Sequence, residues 1–114
     1  MPTFDEIKEL CYKCSWEWTT VNGVKGQKII GSNGNSIFLP AAGVFRDTEV
    51  YGSGIGYWSS TLGTQDNSTA SCVVSDVSDV AYRCYGLSVR PVMEYSNVAV
   101  SVDLGLSVKW ATCN

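Results

Sequence analysis

The hydrophobic period changes once, at residues 14–15, and that change sets the fold class. Before it, Phe4, Ile7, Leu10, Cys11 and Cys14 recur at three- and four-residue steps, which gives one apolar stripe on a helix. Thr3 and Glu6 have the Thr-x-x-Glu spacing of a capping box. Asp5 and Glu6 add negative charge in the first turn, where it complements the helix dipole. The spacing predicts a helix over about residues 4–13. After it, Trp16 and Trp18 alternate with Ser15, Glu17 and Thr19, the period of a half-buried strand.

The remainder reads as short strands separated by turns. Asn22-Gly23 is a strong hairpin dipeptide leading into Val24–Ile30. Gly31-Ser32-Asn33-Gly34-Asn35 marks a second turn before Ser36–Pro40, which lacks alternation and reads as a buried strand. Residues 43–69 are rich in Gly, Ser, Thr and Asp, with Tyr51, Tyr57 and Trp58 among them, and read as one long, ordered, folded-back loop. Cys72–Ser75 and Val80–Cys84 read as a hairpin around Asp76–Asp79. Leu87–Val92 is a further strand, and Val98–Trp110 another, broken at Gly105. One helix followed by many short strands makes an α+β domain with a mostly antiparallel sheet.

Composition narrows the function. A chain of 114 residues is one domain by size. Its aromatics and low net charge place it outside the disordered class. A net charge of −3, with eight scattered Lys and Arg, argues against nucleic-acid binding, which needs a basic face. The longest nearly apolar run, Ile37–Phe45, is too short to span a bilayer and contains a Pro and a Gly. There is no histidine, which excludes Ser-His-Asp and Cys-His nucleophile pairs and His metal sites. Paired carboxylates, lysine chemistry and a bare thiol survive as enzyme options. Met1-Pro2-Thr3 leads straight into the helix signal with no export signal before it. The expectation is trimming from a longer precursor, or a protein not exported alone.

The candidate sites each have a structural alternative. Cys11-x-x-Cys14 has zinc or redox half-site spacing, yet it sits at the end of a helix on the apolar stripe, so buried or bridged thiols are the better reading. Cys72 and Cys84 lie symmetrically about residue 78, so a hairpin there gives either a cross-strand bridge or two packed thiols. The five cysteines leave at least one thiol unpaired or shared between chains. Asp76 and Asp79, and the loop acids Asp47, Glu49 and Asp66, read as solvated turn carboxylates; no Asp-x-Asp-x-Asp-Gly calcium run is present. The Gly-rich runs 31–34 and 52–56 lack a P-loop Lys-Ser/Thr and read as turns. Trp16, Trp18 and Trp110 fall in periodic segments and read as core. Tyr51, Tyr82 and Tyr85 lie near turns beside polar residues, where rigid aromatic area suits recognition of sugar or protein.

Several runs carry a resemblance: Pro2-Thr3 through Cys14-Ser15-Trp16-Glu17-Trp18-Thr19-Thr20, Asn22-Gly23-Val24, Gly34-Asn35-Ser36-Ile37-Phe38-Leu39-Pro40-Ala41-Ala42-Gly43, Gly56-Tyr57-Trp58-Ser59-Ser60 and Tyr85-Gly86-Leu87-Ser88-Val89-Arg90-Pro91-Val92. In this order, over about 90 residues, they resemble the Fibrobacter-type major paralogous domain of surface proteins from gut Bacteroidetes. The resemblance implies a C-type-lectin-like fold: two helices, a small sheet joining the termini and a long structured loop region. It is similar also to the variable proteins of diversity-generating retroelements. Val102–Asn114 resembles the start of such domains yet stands last here. That order implies a circular permutant, natural or engineered, or a chain cut across tandem repeats. The family-like core is then residues 1–92, the turn 93–97, and the relocated terminal strand 98–114, paired antiparallel with 87–92. The segment that usually precedes the Pro-Thr start is missing, which leaves the second helix in doubt.

The resemblance further implies a Cys14–Cys113 disulfide, leaving Cys11 as the free thiol; Cys72 and Cys84 stay open, as a second bridge or as two packed thiols. The lectin triplets Glu-Pro-Asn, Gln-Pro-Asp and Trp-Asn-Asp are absent, and Trp58 reads as structural. The expectation is a non-enzymatic binding module, extracellular or on a cell surface, without cofactor or metal. It would recognise glycan or protein through Tyr51, Asp76, Asp79, Tyr82, Arg83 and Tyr85. The alternative is a packing domain of a larger surface protein, with a strand-swapped or disulfide-linked homo-oligomer as a form of it. A remote third is the copper-dependent formylglycine-making enzyme of lectin-like fold, with Cys72 or Cys84 as its thiol. This chain is far shorter and lacks the resemblance at those positions.

Overall fold

A computed structural model describes residues 1–46, 48–52, 54–63, 67–74, 77–93 and 101–112. Helix α1 is Phe4–Lys13, and both halves of its capping box form: the Thr3 hydroxyl accepts from the Glu6 amide and the Glu6 carboxylate accepts from the Thr3 amide. Cys14 ends the helix in an extended conformation. Ile7 and Leu10 are fully buried, while Cys11 and Cys14 flank them on the same core.

Strands β1 (Ser15–Val21) and β2 (Val24–Ile30) pair in unbroken register across the Asn22-Gly23 turn. Asn22 has φ 49° and Gly23 φ 80°, the left-handed pair that a two-residue turn matched to the strand twist requires. Strand β3 (Ser36–Pro40) adds to β2, giving the order β1-β2-β3. Contrary to the sequence reading, β3 alternates: Ile37 and Leu39 are buried and their neighbours only half so.

The stretch expected as one long loop holds three strands. β4 (Val44–Arg46) and β5 (Glu49–Tyr51) make a small hairpin, and β6 (Gly56–Leu62) starts a second sheet. The Gly and Ser content masked this, because short strands with one polar face carry little hydrophobic signal. β6 pairs with β7 (Thr69–Val74), and β7 with β8 (Val77–Tyr82). Val74 pairs with Val77, so 77–79 belong to β8 and not to the expected turn across 76–79.

Strands β9 (Val92–Met93), β10 (Ser101–Val102) and β11 (Lys109–Ala111) form the last sheet, in the order β10-β11-β9. The expected strand 98–110, broken at Gly105, holds two short strands that pair with each other, and of the expected strand 87–92 only Val92 lies in a strand, where it pairs with Trp110. Gly105 turns the chain between them, with φ 77°.

The described residues thus make an α+β domain with one helix and several antiparallel sheets. The core joins the helix to the ends of the chain: Ile7, Leu10, Ile29, Ile37, Leu39, Ile55, Tyr57, Val73, Leu104, Leu106, Val108 and Trp110. Trp110 and half-buried Trp16 meet the core expectation; Trp18 does not, at 48% exposed. Arg90 is 2% exposed and donates to the carbonyls of Phe38 (2.9 Å) and Ala111 (3.0 Å), tying the first sheet to the last. The Gly31–Asn35 turn docks on the same region: the Asn33 and Asn35 amides both donate to the Asp103 carbonyl, at 2.8 and 3.0 Å.

Candidate functional site

The structure brings together part of the expected site and adds a residue to it. Tyr82 ends β8 and is 54% exposed. Tyr85 follows after a tight turn, closed by its amide donating to the Tyr82 carbonyl at 2.9 Å. The two rings meet edge to face, with centroids 5.5 Å apart and planes at 81°, the arrangement the ring quadrupoles favour. Arg46 of β4 lays its guanidinium over Tyr85, 5.5 Å from the ring centroid. A cation over an aromatic face at this range is attractive, by about 0.5–1 kcal/mol at an exposed site.

Beside this cluster lies a shallow, mainly apolar groove of about 400 Å³, lined by Val44, Arg46, Gly52, Val74, Ala81 and Tyr85. It runs between the β4–β5 hairpin and the β7–β8 pair. The hairpin is held there because Phe45 and Gly86 exchange two backbone hydrogen bonds, of 2.8 and 2.7 Å. A Cβ on Gly86 would sit 3.0 Å from the Phe45 Cβ, so glycine permits this close approach.

The other candidates part ways. Tyr51 lies on β5 opposite Val44, beside the groove-lining strand. Asp76 lies outside the described residues, as do Asp47 and Asp66. Asp79 is not in a turn: it lies within β8 opposite Cys72, and its carboxylate accepts from the Val80 amide at 2.8 Å. Arg83 turns away from the tyrosines. Its guanidinium donates to the Asn67 carbonyl at 3.0 Å and its amide to the Ser68 carbonyl at 2.8 Å, where it borders a separate hollow with Trp58, Ser60 and Leu62. Sequence reasoning missed Arg46. The signal was the symmetric run Val44-Phe45-Arg46 and Glu49-Val50-Tyr51, whose register sets Arg46 opposite Glu49.

The cysteines correct one expected pairing. Cys72 is fully buried opposite Asp79, whereas Cys84 lies exposed beyond the end of β8, so the β7–β8 register rules out Cys72–Cys84 as a cross-strand pair. Among the described residues no disulfide forms. Cys113, and with it the Cys14–Cys113 pairing, lies outside them. No group of three or more Cys, Asp or Glu positioned to hold a metal ion occurs among the described residues.

Burial, reinforced by the Asp79 charge, pushes the Cys72 thiol up to about 12 from an ordinary 9.0. Burial, with Glu9 nearby, also raises Cys14. A folded state that holds a proton more tightly than the unfolded state gains stability below the unfolded pKa and loses it above. Stability contributed by Cys72 is therefore complete below pH 9 and declines as the pH climbs toward 12. In thiol labelling of the native protein at pH 8, Cys84 should react rapidly and Cys72 only at the rate of unfolding. Equal rates by mass spectrometry would contradict the buried placement of Cys72.

No protein-family model, no curated protein and no solved structure matches this chain. No helix among the described residues is long and apolar enough to cross a membrane.

Proposed function

We propose that this protein is a non-enzymatic binding module, which recognises a glycan or protein ligand at the Tyr82–Tyr85–Arg46 cluster and its groove. The observation that carries the reading is the cluster itself. An exposed tyrosine, a second ring held edge-on to it and a guanidinium over that ring form a rigid, amphipathic surface beside an apolar trough. Such a surface offers large contact area at small entropic cost, with hydroxyl and guanidinium donors at its rim. A sugar ring stacks on one aromatic face and exchanges hydrogen bonds with the edge groups; a peptide side chain fills the same trough. This reading narrows the expected site: Tyr82 and Tyr85 stay, Arg46 joins, Arg83 and Asp79 are engaged elsewhere.

The family resemblance belongs to the same proposal. One helix, small antiparallel sheets and Gly-rich connecting hairpins are compatible with a C-type-lectin-like domain of a bacterial surface protein in permuted order. The tyrosine cluster would then lie in that fold's structured loop region. The second reading, a packing unit of a larger surface protein, is favoured by the exposed apolar residues away from the cluster, Trp18, Val21 and Val24.

The test is a polysaccharide and mucin-glycan array probed with the purified domain, with and without Ca²⁺, alongside Tyr82→Ala/Tyr85→Ala. The expected result is binding by the natural chain and a loss of at least about tenfold in the double variant, which should fold normally because Tyr82 is mostly exposed. Undiminished binding by the variant would displace the site; silence of both across the array would favour the packing role or a protein ligand.

A further inference from the structure

The edges of the sheets differ in how they are closed. The outer edge of β6 is covered: Ser88 accepts from the Trp58 amide (2.9 Å) and donates to Gly56 (2.9 Å), and Pro2 accepts from Ser60 (2.7 Å). The outer edge of β4 is covered by Gly86. On β8 the Asp79 carboxylate takes the Val80 amide, and the Tyr82 carbonyl is taken by Tyr85. On β3 the Phe38 carbonyl is taken by Arg90, and Pro40 has no amide and gives its carbonyl to the Tyr57 hydroxyl. These are the devices by which proteins blunt an edge against another chain.

β1 has none of them. It is seven residues long, without Pro or bulge, and its one charge is Glu17. Its hydrogen-bond phase follows from the turn. A two-residue turn makes Val21–Val24 a bonded pair, so Thr19–Gly26, Glu17–Lys28 and Ser15–Ile30 are bonded as well. The Lys25 carbonyl, which accepts from Ala41 on the β3 side, confirms the phase. The amides and carbonyls of Trp16, Trp18 and Thr20 therefore face outward, and none of these backbone groups has a partner among the described residues.

We propose that β1 is a docking edge for a second copy of this chain, joined antiparallel through a twofold axis at Trp18. The side chains of β1 suit this occupant. The three outward residues are symmetric about Trp18, so Trp16 meets the partner copy's Thr20 position, Trp18 meets its own equivalent, and Thr20 meets Trp16. All the outward groups are satisfied at once, the self-complementary condition of a twofold contact. The register also sets Glu17 opposite a threonine, so no like charges face one another, and brings the two half-exposed Trp18 rings side by side across the strands. The contact leaves the tyrosine cluster untouched and does not depend on its role.

The test pairs sedimentation of the natural chain over a wide concentration range with amide hydrogen exchange at both ends of that range. The expected result is a monomer–dimer equilibrium in which the Trp16, Trp18 and Thr20 amides slow with concentration. Those of Glu17 and Thr19, already bonded to β2, should not change. Trp18→Pro removes one outward donor per copy without touching a bond to β2, and an edge strand tolerates proline. It should raise the dissociation constant about tenfold or more while keeping the circular dichroism of the fold. A chain that stays monomeric throughout overturns the proposal, and so does a dimer whose Trp16, Trp18 and Thr20 amides exchange equally fast at both concentrations. The exchange readout stands even where the proline variant does not fold.

Discussion

Arg90→Ala should cost about 3 kcal/mol or more of folding stability, which for a domain with a total of about 5–15 kcal/mol brings unfolding close to ambient conditions. The guanidinium is buried, and two of its donors go to main-chain carbonyls that belong to different sheets, Phe38 in β3 and Ala111 in β11. Truncation strips both carbonyls of a charged donor, at about 1–3 kcal/mol each, and leaves a cavity as well. Arg90→Lys should recover only part of the loss, since a single ammonium cannot span two carbonyls as the planar fork does. Urea melts of the two variants decide it. A loss below about 1 kcal/mol for Arg90→Ala would mean that the sheets hold together without this bridge.

Gly31→Ala should be nearly as damaging, at about 3 kcal/mol, and for a different reason. A Cβ there would lie 2.3 Å from the Leu104 carbonyl oxygen and 2.8 Å from its carbon, both main-chain atoms that cannot swing aside. Ser32 and Gly34 are exposed on the same turn, so Gly34→Ala tests strain alone: its φ is 85° but open space surrounds it. That variant should lose only about 1 kcal/mol. The ordering of the two in thermal melts separates close packing from backbone conformation; the reverse order would refute the docking of this turn on Leu104.

What the sequence showed depended on the range of the interactions that decide each element. Helix 4–13, its capping box and the Asn22-Gly23 turn are set by residues four or fewer apart, and each appeared as read. The strands of 44–62 are decided by partners elsewhere. β4 exists because Phe45 bonds Gly86, and β6 because 86–88 and 69–74 lie against it. No local pattern announces such partners, so the glycines and serines dominated the reading. The hairpin at 69–82 is legible, but its register differs from the reading around Asp76–Asp79: Val74 pairs with Val77 and Cys72 with Asp79. The same shift explains Asp79, expected in a turn and found closing a strand edge. Of the residues proposed to bind, the neighbouring pair Tyr82 and Tyr85 could be seen in sequence; Arg46, some forty positions away, required the fold. Arg90 stands out only within a resembling run, because a single charged residue in an irregular segment gives no sign of burial.

The N-terminal helix has a consequence for the time course of folding. Its anchors come late in the chain. The Phe4 amide donates to the Thr61 hydroxyl, Glu9 accepts from the Ser107 amide, and Ile7 and Leu10 share their core with Leu104, Leu106, Val108 and Trp110. During synthesis at roughly 5–20 residues per second, the helix emerges well before these partners, and its apolar stripe is covered only once Trp110 has followed it. Contacts of such long sequence separation carry a loop-closure cost before they return any stability, which places folding in the slow range of small domains. The helix is therefore made well before the residues that cover it, and until they arrive its stripe of Ile7 and Leu10 is the surface a chaperone would hold.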